Sequence, residues 1–135
     1  MNKYFNHKLK TIKKETMINI THLVEEDIQN YGAKDGIVLV YCPHTTSGIT
    51  INENADPHVV MDLLYTFRKV FPANDPNYLH LEGNSHAHVK SVLMGNSVSL
   101  ILDNGKLVLG HWQDIFFCDF DGPREREFFV KILKG

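Results

Sequence analysis

Val98-Ser99-Leu100-Ile101-Leu102-Asp103-Asn104-Gly105-Lys106-Leu107-Val108-Leu109 reads as two apolar runs joined by an Asn-Gly turn. That pairing is a strong hairpin signal, because both central residues of the turn must accept positive φ. Working outward, Trp112 to Phe120 is a further apolar run, and Asp121-Gly122-Pro123 turns the chain into Arg124 to Leu133, so the last third reads as β. Upstream, Gly36 to Cys42 is a continuous, β-branched run, the pattern of a buried strand. Ile49-Thr50-Ile51-Asn52 alternates as a second short strand, and Tyr4 to Lys14 alternates loosely as an early one.

Helices punctuate this pattern. Thr21 is the expected N-cap of a short helix carrying Val24, Ile28 and Tyr31, with Gly32 as its stop. The clearest helix starts at Asp56-Pro57, an N-cap followed by proline at the first helical position. Its apolar positions are Val60, Leu63, Leu64, Phe67 and Phe71, and Pro72 ends it. Pro72 to Asn84 is a polar loop, after which Asn84 or Ser85 caps a helix carrying Val89, Val92 and Leu93, closed by Gly95. Strands outnumber helices and come in antiparallel-looking pairs, so the expected class is α+β, one domain over residues 1–135.

With 43% hydrophobic and 22% charged residues among 135, the chain can build a core, which excludes disorder. A net charge of −2 leaves no electrostatic footprint for nucleic acid or anionic membrane, and neither is expected as a partner. The start lacks the apolar stretch of a signal peptide, and the longest apolar run, Ile37 to Cys42, is far short of the ~20 residues of a membrane span. A cytoplasmic protein is therefore expected, with Cys42 and Cys118 as buried, reduced thiols. Eight histidines are the unusual count.

Three of them lie in His80-Leu81-Glu82-Gly83-Asn84-Ser85-His86-Ala87-His88, beside a carboxylate. Neutral imidazole and carboxylate are the usual ligands of zinc and related divalent ions. His80 and Glu82 share one side if the chain is extended, whereas His86 and His88 diverge by about 200° on a helix, so at least one of them is not a ligand. Pro43-His44-Thr45-Thr46-Ser47-Gly48 follows the buried strand and offers an imidazole and three hydroxyls; its bland reading is a tight turn. A Ser/His hydrolase built on His44 and Ser47 lacks a third member and a nucleophile elbow. Asn52-Glu53-Asn54-Ala55-Asp56 sets amides beside a helix N-terminus, where Asp56 is explained as a cap. His111-Trp112-Gln113 is ambiguous, with the tryptophan expected in the core. Arg124 and Arg126 suit either a phosphate clamp or an exposed strand face, and His7, His22 and His58 are expected at the surface.

Three runs resemble the YjbQ family of small proteins: HTTSGITINENADP (His44 to Pro57), HLEGNSHAHVKSVLMGNS (His80 to Ser97) and GKLVLGHWQDIFFCDFDGPRER (Gly105 to Arg126). They cover most of the chain from position 40 onward. The resemblance implies a sandwich-like fold, mostly antiparallel, with two to three short helices, assembled as a homotrimer with the polar motifs in one pocket. It implies His44, His80 and His88 as the recurrent imidazoles, with Glu82, Asn52 and Asp56 nearby, favouring His88 over His86. Family members carry the label of a secondary thiamine-phosphate synthase, which joins a pyrimidine diphosphate to a thiazole phosphate with loss of pyrophosphate. Two positions depart from the pattern: His86 stands where relatives often have an acid, and His111 where a small hydroxyl residue is usual.

The combined expectation is an enzyme acting on a phosphorylated small molecule. A divalent ion, zinc first and magnesium or manganese otherwise, is expected on His44, His80 and His88. Glu82, His44 and Ser47 are the candidate catalytic residues, with Glu82 as acid/base or fourth ligand. Thr45, Thr46, Asn52, Asn84, Gln113 and Arg124 are the candidate substrate-binding residues, Arg124 as the phosphate clamp. A non-catalytic metabolite- or metal-binding module and a metal-dependent hydrolase are the alternatives.

Overall fold

The computed structural model describes residues 3–135. These residues form, in order, β1 (Phe5–Lys10), β2 (Thr16–Asn19), α1 (Thr21–Tyr31), β3 (Gly36–Tyr41), β4 (Ser47–Glu53), α2 (Pro57–Val70), α3 (Ser85–Met94), β5 (Ser97–Asp103), β6 (Lys106–Leu107), β7 (Gln113–Asp119) and β8 (Glu125–Lys134). A five-stranded sheet runs β1-β8-β3-β5-β6 and a three-stranded sheet runs β2-β7-β4, with every pairing antiparallel. The expected α+β sandwich is therefore the fold. The hairpin turn is as expected, with Asn104 at φ 50° and Gly105 at φ 79° and Leu102 opposite Leu107.

Residues of alternate parity explain the layers. Val38, Val40, Phe128, Val130 and Ile132 of the large sheet face Ile49, Ile115 and Phe117 of the small one, and Ile20, Val24 and Ile28 join that core. The other face of β7 presents Phe116 and Cys118, which with Phe120 and Met17 are covered by Val60, Leu63, Leu64 and Phe67 of α2 and by Ala87 and Met94. The Ile115 to Cys118 run is continuous because both faces of β7 are buried. Gly48 permits α3 to end against β4, since a Cβ there would lie 2.6 Å from the Gly95 carbonyl oxygen.

Several local readings change. The Tyr4–Lys14 stretch is a strand only to Lys10, and β2, which pairs with β7, is an element the periodicity did not disclose. Thr21 begins α1 rather than capping it: Asn19 Oδ1 accepts the Thr21 N–H at 3.0 Å, and Thr21 Oγ1 instead accepts the Ile115 N–H at 2.8 Å. Asp56 caps α2 as expected, its Oδ1 accepting the His58 N–H at 2.9 Å. His7 is not a free surface residue. It shares the inward parity of Phe5 and Leu9, pairs with Asp27 at 2.6 Å and stacks on Phe128 at 4.9 Å. Trp112, expected in the core, sits in the turn before β7 and is 59% exposed. Both cysteines are free and buried. No helix among the described residues is long and apolar enough to cross a membrane.

Candidate functional site

The site is built at the end of the sandwich where β4 begins and β7 ends. Asp119, fully buried, is its keystone. Its Oδ1 accepts from Arg126 Nη2 at 2.7 Å and from the Asp121 N–H at 3.1 Å, while its Oδ2 accepts the Thr11 hydroxyl at 2.7 Å. Thr11 in turn accepts the Arg124 N–H at 2.9 Å. Arg126 Nη2 also donates to Thr46 Oγ1 at 2.8 Å. A buried guanidinium needs a carboxylate and further acceptors to offset its lost hydration, and here it has both, apart from an Nε that has no partner among the described residues. Gly122 lets the turn lie close: a Cβ there would be 2.2 Å from the Lys13 carbonyl oxygen.

Above this network lies a cavity of about 440 Å³ lined by His44, Thr45, Thr46, His80, Glu82, Asn84, His88, Asp121, Arg124 and Arg126, with Pro43 at its edge. Arg124 is braced by Asp121, its Nε donating to the backbone oxygen at 2.8 Å and its Nη2 to Oδ2 at 3.0 Å. Asn84 Nδ2 donates to the same Asp121 Oδ2 at 2.8 Å, and Asn84 Oδ1 is buried without a partner among the described residues. The rings of His80 and His88 stand edge to face with centroids 5.5 Å apart, and His80 Nε2 lies 3.9 Å from Glu82 Oε1. A second cavity of about 470 Å³, lined by Lys8, Leu9, Lys10, Glu125 and Glu127, shares His44 and Arg126 with the first.

Most of the expected site residues converge, and three do not. His44, Thr45, Thr46, His80, Glu82, Asn84, His88 and Arg124 line one cavity. Ser47 is fully buried at the first position of β4, below the cavity, so it is not a nucleophile there. Asn52 stands at the opposite end of the small sheet, six positions from Thr46 or about 20 Å, and Gln113 lies opposite its neighbour Glu53. Asn52 Oδ1 accepts the Glu53 N–H at 2.6 Å, and Gln113 Oε1 accepts the Gly110 N–H at 2.8 Å, so both amide oxygens close on nearby backbone. His111 meets Trp112 edge to face at that same far end, outside the cavity.

The three-imidazole metal set does not fit this geometry. His44 Nε2 accepts the Glu127 backbone N–H at 2.9 Å, which commits its lone pair and leaves the proton on Nδ1. Burial and the neighbouring Arg126 charge hold the His44 pKa below the ordinary histidine value, so the ring is a neutral N–H donor. Among the described residues no three His, Cys, Asp or Glu side chains are placed to hold a metal ion. His86 is also turned away: it is buried, and its Nδ1 takes a hydrogen bond from Lys90 at 2.8 Å.

Asp119, Asp121 and Thr11 were not among the expected residues. Thr11 carries no local signal, since its role depends on partners more than a hundred residues away. Arg126 had one: it shares parity with Phe128, Val130 and Ile132, the buried face of β8, which resolves the choice between clamp and exposed strand in favour of a buried cation.

Comparison with known proteins agrees with this architecture. The family description "UPF0047 protein YjbQ-like" matches residues 5–135. The chain is 50% identical over 125 residues to UPF0047 protein YugU of Bacillus subtilis, covering 93% of this chain and 95% of the relative. It is 51% identical over 129 residues to a UPF0047 protein of Methanocaldococcus jannaschii, covering 96% and 93%. A crystal structure of an uncharacterised YjbQ/UPF0047 protein from Clostridium acetobutylicum is 53% identical, with a TM-score of 0.94 over 96% of this chain and 99% of that one. The polar end of the sandwich and these matches place the chain in one family: it belongs to the UPF0047, or YjbQ-like, proteins.

Proposed function

We propose that the cavity binds a phosphorylated small molecule and that the protein acts on it as an enzyme. The observation that carries this reading is the lining itself: two guanidiniums, three imidazoles, two threonines and Asn84 around about 440 Å³, with the carboxylates of Asp121 and Glu82 engaged by Arg124 and His80. Such a set suits a multiply charged oxyanion and offers little to an apolar ligand. Arg124, braced by Asp121 along one edge, keeps further N–H groups for bidentate contact with phosphate. His44 adds a neutral Nδ1–H donor, and Thr45 a hydroxyl. His80, Glu82 and His88 form the acid/base group, able to hand a proton to a departing oxygen. In the reaction implied by the family resemblance, a C–N bond forms to the thiazole phosphate, the bond to the diphosphate breaks, and pyrophosphate leaves.

The first test is calorimetric titration with inorganic phosphate, in wild type and in Arg124→Ala. Saturable binding that weakens in the variant supports the reading, and no binding in wild type overturns it. Incubation with the two thiamine precursors then separates the enzyme from its rival. A coupled product supports the transferase, whereas ligand-dependent stabilisation without any product supports a non-catalytic binding module. A metal-dependent hydrolase is tested in the same way, by phosphate release that depends on an added divalent ion, since among the described residues no three His, Cys, Asp or Glu side chains stand together as ligands.

A homotrimer in the cytoplasm is part of the same proposal. The outer face of the large sheet exposes Ile37, Tyr41, Ile101 and Leu133, apolar surface of the kind that a second copy covers. Light scattering after size exclusion measures the assembly directly, and a monomer at micromolar concentration would remove that part.

A further inference from the structure

Helix α3 carries two i, i+4 pairs on opposite sides. Asn84, at its N-cap, and His88 line the cavity, while His86 and Lys90 face the interior. Lys90 is only 3% exposed, yet its Nζ is held at 2.8 Å from Glu15 Oε2 and at 2.8 Å from His86 Nδ1. Glu15 stands between β1 and β2, and its other oxygen lies 3.9 Å from Arg68 of α2. One turn on, Ser91 Oγ donates to the Ser47 carbonyl oxygen at 2.6 Å. Of the four buried residues of α3, Ala87 alone is apolar.

The helix nevertheless has an apolar stripe, Val89, Val92 and Leu93, at i, i+3, i+4. It is not the side that is buried: Val92 is 80% and Leu93 64% exposed. Apolar burial within one protomer alone would turn the helix to cover these residues. On the buried side Ala87 and Met94 pack on the β7 core, and the other anchors are directional bonds through Lys90 and Ser91. A buried ion pair is weak evidence for stability, because well-packed apolar residues serve as well or better. What this pair supplies is a unique orientation for the helix that carries two cavity residues.

We infer that Lys90 is a positioning residue: bound to Glu15 and His86, it fixes the rotation of α3 and so keeps His88 and Asn84 facing the phosphate cavity. The inference rests on the proposed phosphate site, and its test separates the two. In Lys90→Met, far-ultraviolet circular dichroism should show an intact fold. Inorganic phosphate affinity should fall by about tenfold or more, and the His88 ring resonances should move in the ligand-free protein. Adding Val92→Ser and Leu93→Ser to that variant removes the competing apolar face and should restore both readouts in part. A folded Lys90→Met with unchanged phosphate affinity and unmoved His88 resonances overturns the inference. Should Lys90→Met fail to fold, Lys90→Arg keeps the charge while displacing the head group; weakened phosphate binding with shifted His88 resonances is then expected, and unchanged values overturn the claim. If wild type binds no phosphate, the site reading fails, and the His88 resonances still decide whether Lys90 positions the helix.

Discussion

The two ends of the small sheet carry similar polar residues and use them differently. At the far end, Asn52 and Gln113 close on backbone N–H groups within three residues of themselves, and Asp56 spends its carboxylate on the N-cap of α2. At the cavity end, Asp119, Thr11 and Arg126 bond across 7 to 108 positions of sequence, joining β7, β8 and the segment after β1. Local closure leaves a polar group with little to offer a ligand. Long-range closure beneath the surface holds other groups, Arg124, His44 and Asn84, in place with donors or acceptors still open. For these residues, the difference between a turn and a site lies in where their hydrogen bonds end, and the cavity end adds the guanidiniums and imidazoles that the far-end residues Asn52, Gln113 and Asp56 lack.

The sharpest way to break this comparison is to remove the keystone pair. Arg126→Met leaves Asp119 charged, fully buried and short of its cation, and should destabilise by about 3–5 kcal/mol in urea or thermal unfolding. A loss below about 1 kcal/mol would mean that the buried network is not what organises this end. Next in size is Arg124→Ala, an exposed residue that should leave stability nearly unchanged and weaken phosphate by about tenfold to a hundredfold, the range for a lost charge-assisted contact. At the far end, Asp56→Ala removes an N-cap and should lower stability by about 1 kcal/mol while leaving phosphate titrations as they were.

Proton uptake sharpens the same contrast. The pKa values of His44 and His86 are both depressed in the folded protein, chiefly by burial. The unfolded chain then binds protons more readily, so the stability these rings contribute is complete above about pH 6.5 and drains away as pH falls below it. In His44→Gln, the amide oxygen can still accept the Glu127 N–H but cannot be protonated. Its melting temperature should fall less steeply than wild type between about pH 6.5 and pH 5, with the remaining slope due to His86. Equal slopes would show that burial and the Arg126 charge do not hold His44 neutral as described.

Much of this was legible in the residues. The Asn-Gly turn, the continuous Ile115 to Cys118 run and the Asp56-Pro57 helix start each act through neighbours in the chain, which is why they can be read one at a time. His44, Thr45, His80, Glu82, His88 and Arg124 also line one cavity, because motif loops at one sheet end meet in space. What escaped depends on partners far away. Nothing near Thr11 announces that it bridges Asp119 and Arg124, and nothing near His7 announces Asp27. The metal expectation failed to fit for a related reason: counting imidazoles cannot reveal that the Glu127 N–H already occupies the lone pair of one of them.

The smallest expected effect is also the most discriminating for the site boundary. Asn52 belongs to the same motif run as His44, and family resemblance alone would group the two. Yet β4 carries Asn52 some 20 Å from Thr46, exposed, with its side-chain oxygen folded onto the next backbone N–H. Removing that amide takes away one solvent-facing hydrogen bond whose donor can turn to water. Asn52→Ala should therefore change unfolding free energy by no more than about 0.5 kcal/mol. Phosphate affinity should stay at the wild-type value, and Gln113→Ala should behave in the same way. A clear loss of phosphate binding in either variant would mean that the ligand reaches along the whole sheet, or that the far end of one copy completes the cavity of another. Either result would erase the distinction between locally and distantly closed polar groups on which the placement of this site depends.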